Sequence, residues 1–142
     1  MGSTVDLIYC ADGNARFASI AIGAEFTYGA QLPNTVYFRP DFVDQDWKNP
    51  NLERYMVALA QHRPRLATVL DLERWEQLAR VIWWAVIAAQ YVTEAIIIIP
   101  KITGVIEHLP TDINNIPIRL GFSWPTGHGI ENDKAWILAH PE

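Results

Sequence analysis

Two aspartates stand at the carboxyl ends of short apolar runs, Asp12 in YCADGN and Asp71 in VLDLE, and Lys101 stands in the same relation to AIIIIP. Paired carboxylates are what glycosidic bond exchange requires: one attacks an anomeric carbon while the other handles a proton. Asp12 and Asp71 are therefore the catalytic candidates. Asn14 and Glu73 lie close to them in sequence, and a lysine such as Lys101 at a strand end forms a Schiff base or holds a phosphate; these three are the substrate-binding candidates. The same residues also have plain structural uses. Asp12 starts a turn, Asn14 and Asp71 cap the helices that follow, Glu73 favours a helix dipole, and Pro100 alone explains why the run before Lys101 stops.

Other chemistries lack their signatures. His62, His108, His128 and His140 fall in four separate segments and never approach HxxxH or HxH spacing, and Cys10 is the only cysteine. Neither a metal site nor an internal disulfide is expected. Ser123 does not lie in GxSxG, and neither a phosphate loop nor a dinucleotide glycine pattern follows the first apolar run, so no cofactor is expected.

The elements that position these residues alternate in type. In Arg65 to Lys101 two apolar runs, Leu66 to Leu70 and Ala95 to Ile99, flank a helix-length segment, which is the pattern of a crossover between parallel strands. Ligands of such sheets sit beyond the carboxyl ends of the strands, where Asp71, Glu73 and Lys101 fall. Upstream, Val5 to Ala11 reads as a first strand, Ala15 to Ile22 as a helix and Phe26 to Gln31 as a second strand. A long irregular stretch, 32–50, holds Pro33, Pro40 and Pro50 and is a candidate lid or interface arm. Asn51 then caps a helix over Leu52 to His62, stopped by Pro64. Downstream, Ile102 to Leu109 reads as one short helix or two turns, Ile116 to Ser123 as a strand, and Lys134 to His140, within a tail 130–142, as a sixth strand or a docking segment.

This rhythm predicts a single α/β domain over 1–142 built of parallel βα units. It is either a shortened TIM-barrel-like half-barrel or a small open sheet flanked by helices, since a whole barrel needs roughly 250 residues. With 142 residues, half of them hydrophobic, the chain can bury one core. The net charge of -5 and the absence of a lysine or arginine cluster argue against a broad nucleic-acid footprint, so any nucleic acid would be held locally. The longest apolar run, Val81 to Ala89, is far short of the roughly 20 residues that span a bilayer, and MGSTVDLIYC lacks a secretory pattern. A soluble, cytoplasmic protein without a membrane partner is expected.

The helix within 75–92 breaks the amphipathic rule, because Ile82, Trp83, Trp84, Val86 and Ile87 cannot all face one sheet. Trp83, Trp84, Val86 and Ile87 are the interface candidates for a homo-oligomer, since aromatic anchors dominate contact surfaces. The alternative is a cover supplied by 32–50 or by the carboxyl tail.

Across roughly residues 7–129, the segments YCADGNARF, YGAQLPNTVYF, FVDQDW, ATVLDLE, IIIIPK and RLGFSWPTGHG resemble an uncharacterised phage and bacterial family. That family is grouped with the tRNA-guanine transglycosylase superfamily and its branch that installs 7-deazaguanines in DNA. The resemblance implies a TIM-barrel-related fold and exchange of a purine-like base on nucleic acid through an aspartyl intermediate, with Asp12 and Asp71 as the acidic groups. Three departures point to a minimal or inactive relative, or to a non-catalytic protein that self-assembles or binds a partner through its apolar helix. Gly127 replaces the arginine of the Pro-Thr-Arg motif after Pro125-Thr126, Gly121 occupies the place of the usual nucleophilic aspartate, and Cys10 alone cannot build the superfamily's zinc site.

Overall fold

The computed structural model describes residues 8–10, 15–24, 27–37 and 39–121. Its elements follow in the order β1 (Ile8–Cys10), α1 (Ala15–Gly23), β2 (Thr27–Gln31), β3 (Phe42–Asp44), α2 (Leu52–His62), β4 (Leu66–Thr68), α3 (Leu78–Ala88), β5 (Ala95–Ile98), β6 (Asp112–Ile113) and β7 (Ile116–Leu120). One seven-stranded sheet has the order β1-β2-β3-β4-β5-β7-β6. Every pairing is parallel except the β6–β7 hairpin. The molecule is a small α/β fold, and its parallel strands run across the sheet in chain order, so their carboxyl ends line one rim. Among the described residues the sheet is open, with β1 at one edge and β6 at the other.

Several local readings are corrected. The stretch 32–50 is not wholly irregular, because Phe42, Val43 and Asp44 insert as β3 between β2 and β4. The central helix begins as a 3₁₀ turn at Trp75–Gln77 and is α-helical only from Leu78 to Ala88. Only Ile106–His108 of the segment after β5 is helical, as 3₁₀. The last strand is extended by β6 through a two-residue turn in which Asn114 and Asn115 have φ of 50° and 68°. That left-handed pair suits asparagine and matches the twist of a tight hairpin. Helix α2 forms as expected: Asn51 Oδ1 accepts from the Arg54 N–H at 3.0 Å, and Arg63, at φ 43°, closes its end ahead of Pro64. The tail 130–142 lies outside the described residues.

The core explains why α3 is apolar on more than one side. Ala30, Val43, Ala67, Ile96 and Ile118 stand in register across five strands, so they share one face of the sheet. Tyr55, Ala58 and Leu59 of α2 and Val81, Trp84, Ala85 and Ala88 of α3 form one buried cluster with Val43, Ala67 and Ile96 from that face. Helix α3 thus meets the sheet on one side and α2 on another, where the rings of Tyr55 and Trp84 lie 4.9 Å apart. Such an aromatic pair adds to the burial of two large apolar surfaces.

Candidate functional site at the strand ends

Strands β3, β4 and β5 deliver the polar groups. Beyond β4 and β5 the backbone pairing continues: Val69 N–H donates to Ile97 O, Leu72 N–H to Ile99 O and Lys101 N–H to Leu72 O, at 3.2, 3.1 and 2.8 Å. This extended ladder sets Lys101 beside Asp71, and Lys101 Nζ donates to Asp71 Oδ2 at 2.8 Å with both side chains largely buried. A charge-assisted bond of that length is strong where water is partly excluded. Asp71 is not a helix cap. The N-cap position is Arg74, and Gln77, three residues on, completes a capping box: its Oε1 accepts the N–H groups of Glu73 and Arg74 at 2.8 and 3.0 Å.

A second carboxylate, absent from the sequence-derived set, ends β3. Asp44 Oδ1 accepts from Thr68 Oγ1 at 2.6 Å, and Thr68 Oγ1 in turn accepts from the Gln45 N–H at 3.0 Å. The Thr68 carbonyl accepts from the Tyr55 hydroxyl at 2.7 Å. Burial pushes the Asp44 carboxyl above the ordinary carboxylate range; the Thr68 hydroxyl pulls the other way, and the negative charge of Asp71 pushes it up further. Complete burial, helped by the Asp44 charge, likewise drives the Tyr55 phenol well above its usual range. Asp44 therefore senses the charge of Asp71 across the strand ends.

Beside Asp71 lies a cleft of about 120 Å³ lined by Gln45, Trp47, Pro50, Leu70, Asp71, Glu73, Gln77 and Arg80. Asp44 is not part of its wall. Asp46 Oδ1 accepts from the Lys48 and Asn49 N–H groups at 3.2 and 3.0 Å, and this turn presents Trp47, which is 58% exposed. Gln45 is 2% exposed, and its Oε1 has no hydrogen-bond partner.

The remaining expectations divide. Asp12 and Asn14 lie outside the described residues. Of the interface candidates, Trp84 and Ile87 are buried at 2% and 8% exposure in the chain's own core and present no surface to a partner. Val86 is half-buried, and Trp83 is 57% exposed. Asp44, Gln45 and Thr68 were missed, although FVDQ repeats the apolar-run-then-aspartate pattern that singled out VLDL. Among the described residues no group of three or more His, Cys, Asp or Glu side chains could hold a metal ion. No helix among them is long and apolar enough to cross a membrane.

These features define an α/β protein of sequentially ordered parallel strands with an acid–lysine cluster and a small cleft at their carboxyl ends. The chain belongs to a family of unknown function, DUF6610, which matches residues 18–140. That span takes in Asp44, Asp71 and Lys101 and begins after Asp12 and Asn14. No curated protein and no solved structure matches the chain.

Proposed function

We propose that the chain is a minimal base-exchange enzyme acting on a purine-like base, guanine or a 7-deazaguanine, in nucleic acid. The observation that carries this reading is the contrast between Asp71, ion-paired to Lys101, and Asp44, half-buried, bonded to Thr68 and raised in pKa. In the proposed reaction the Asp71 carboxylate attacks the anomeric carbon. The glycosidic C–N electron pair leaves with the departing base, which takes the Asp44 proton through one bridging water, since Asp44 lies outside the cleft wall. The incoming base returns its N–H proton to Asp44 as its nitrogen displaces Asp71. Lys101 orients Asp71, and Trp47 offers the base a stacking face. With a net charge of -5 the polynucleotide is gripped locally, with Arg80 the cation on the cleft wall. The cytoplasm, where nucleic acid is at hand, is the proposed location.

The test is incorporation of radiolabelled guanine into tRNA and into duplex DNA. Incorporation by the wild type and its loss in Asp71→Asn and Asp44→Asn supports the reading. No incorporation into either polymer, or full activity of Asp71→Asn, overturns it.

A second reading, non-catalytic self-assembly through α3, keeps one specific support, the exposed indole of Trp83. Light scattering on the wild type and Trp83→Glu decides it: a wild-type oligomer that the substitution dissociates supports assembly, and a wild-type monomer refutes it.

A further inference from the structure

We propose that Gln45 is the specificity-determining residue of the cleft: its Oε1 accepts the lactam N–H of a flat, uncharged nitrogen heterocycle lying between Trp47 and Leu70. The inference rests on the preceding reading for the shape of the ligand, and adds the group that selects it.

The argument begins with an unmet demand. A buried carboxamide oxygen without a donor is rare, because folding strips its water and returns nothing. Gln45 Oε1 is in that state although the backbone of the residue is secured. Its backbone N–H donates to Thr68 Oγ1 at 3.0 Å, and its backbone carbonyl accepts from Gln31 Nε2 at 2.9 Å. The side chain is thus carried on a backbone fixed at both ends, and it forms part of the cleft wall. A preorganised, unsatisfied acceptor is what a donor-bearing ligand completes.

The surrounding wall narrows the ligand's chemistry. Asp71 and Glu73 add acceptors, and the Lys101 ammonium is engaged by Asp71, so an anion finds little welcome. Arg80 on the same wall disfavours a simple cation. Trp47, Pro50 and Leu70 give a ring its apolar contact, and a cleft of about 120 Å³ has room for one or two fused rings.

The experiment is calorimetric titration of the whole chain with hypoxanthine and with 1-methylhypoxanthine, which keeps the ring system but lacks the lactam N–H. The expected result is that hypoxanthine binds and the methylated ring binds about tenfold or more weaker, because a site built around a hydrogen bond rejects the analogue that cannot make it. Gln45→Met should erase the difference between the two rings, while Gln45→Glu, which keeps an acceptor, should preserve it. Equal binding of both rings, or no binding of hypoxanthine, overturns the inference, and because this comparison uses the wild type it stands even if Gln45→Met does not fold. Binding with the expected preference but no guanine incorporation would sink the base-exchange reading alone; incorporation with equal binding of the two rings would sink the Gln45 inference alone.

Discussion

Lys101 Nζ sits 2.8 Å from Asp71 Oδ2, thirty residues apart in sequence, because the β4–β5 ladder runs on past both strands through Leu72 and Pro100. Sequence separation and spatial contact are connected here by backbone hydrogen bonds, which hold the two residues side by side. Side-chain exposures of 16% and 19% take it out of the class of surface ion pairs that contribute almost nothing.

Removing one partner of this pair leaves a charge that water reaches poorly. Lys101→Met is expected to cost about 2 kcal/mol, between the surface value and that of a fully buried pair. Adding Asp71→Asn to it should recover most of the loss. Urea unfolding of the two single variants and the double variant checks this; strictly additive losses would mean that the two side chains do not interact.

Asp44 gives a pH dependence with a definite sign. Its folded carboxyl is raised from 3.8, so the folded state binds the proton more tightly than the unfolded chain does. The stability it contributes is complete below the ordinary carboxylate range and is lost as pH rises through the folded value. Asp44→Asn keeps an acceptor for Thr68 and removes the charge, so it should flatten that decline and gain about 1 kcal/mol at neutral pH, the gain commonly released when a strained functional charge is removed. Denaturant midpoints measured from mildly acidic to neutral pH test it. A wild type that gains stability over the variant as pH rises would refute the assignment.

The sequence made some of this legible and hid the rest for physical reasons. The runs before Asp71 and Lys101 are long, apolar and β-branched, so their strands, and the parallel βα architecture, could be read directly. Strand β3 could not. It is three residues long, begins two residues after Pro40, and owes its conformation to hydrogen bonds from neighbours on both sides rather than to its own pattern. Asp44 was lost with it, and with Asp44 went the role of Thr68, whose only local cue is a hydroxyl within an apolar run. The apolar excess of α3 points in sequence to a partner copy, or to a cover from 32–50 or the carboxyl tail, whereas the structure packs Trp84 against α2. That the cover for Trp84 is Tyr55 of α2 is a tertiary fact which no periodicity of either helix encodes.

Tyr55 and Trp84 allow the polar and apolar parts of that cover to be weighed. Tyr55→Phe keeps the ring contact and removes only the hydroxyl that satisfies the Thr68 carbonyl, at an expected cost of about 1–2 kcal/mol. Trp84→Ala removes a side chain that is 2% exposed and opens a cavity, at about 3–5 kcal/mol. Denaturant unfolding ranks the two. A larger loss in Tyr55→Phe would mean that the hydrogen bond of α2 to β4 outweighs its packing against α3.

Thr68 is where fold and site meet, and its substitution separates them. Its hydroxyl donates to Asp44 and accepts from the Gln45 N–H, so Thr68→Val, close in shape, breaks both bonds while Thr68→Ser keeps both. Each variant loses little packing, and the valine leaves the buried Gln45 N–H without a partner, at about 1–2 kcal/mol. The more telling readout is the carboxyl of Asp44. The Thr68 hydroxyl is the group that holds it down against burial and the Asp71 charge, so Thr68→Val should move its titration upward while Thr68→Ser leaves it near the wild-type position. Carboxyl-carbon NMR titration measures this directly. If Asp44 also serves as the proton donor in base exchange, the acidic and basic limbs of the activity profile respond differently: the limb governed by Asp44 moves up with its titration, and the other stays. An unchanged Asp44 titration in Thr68→Val would break the link between the β4 hydroxyl and the β3 carboxylate.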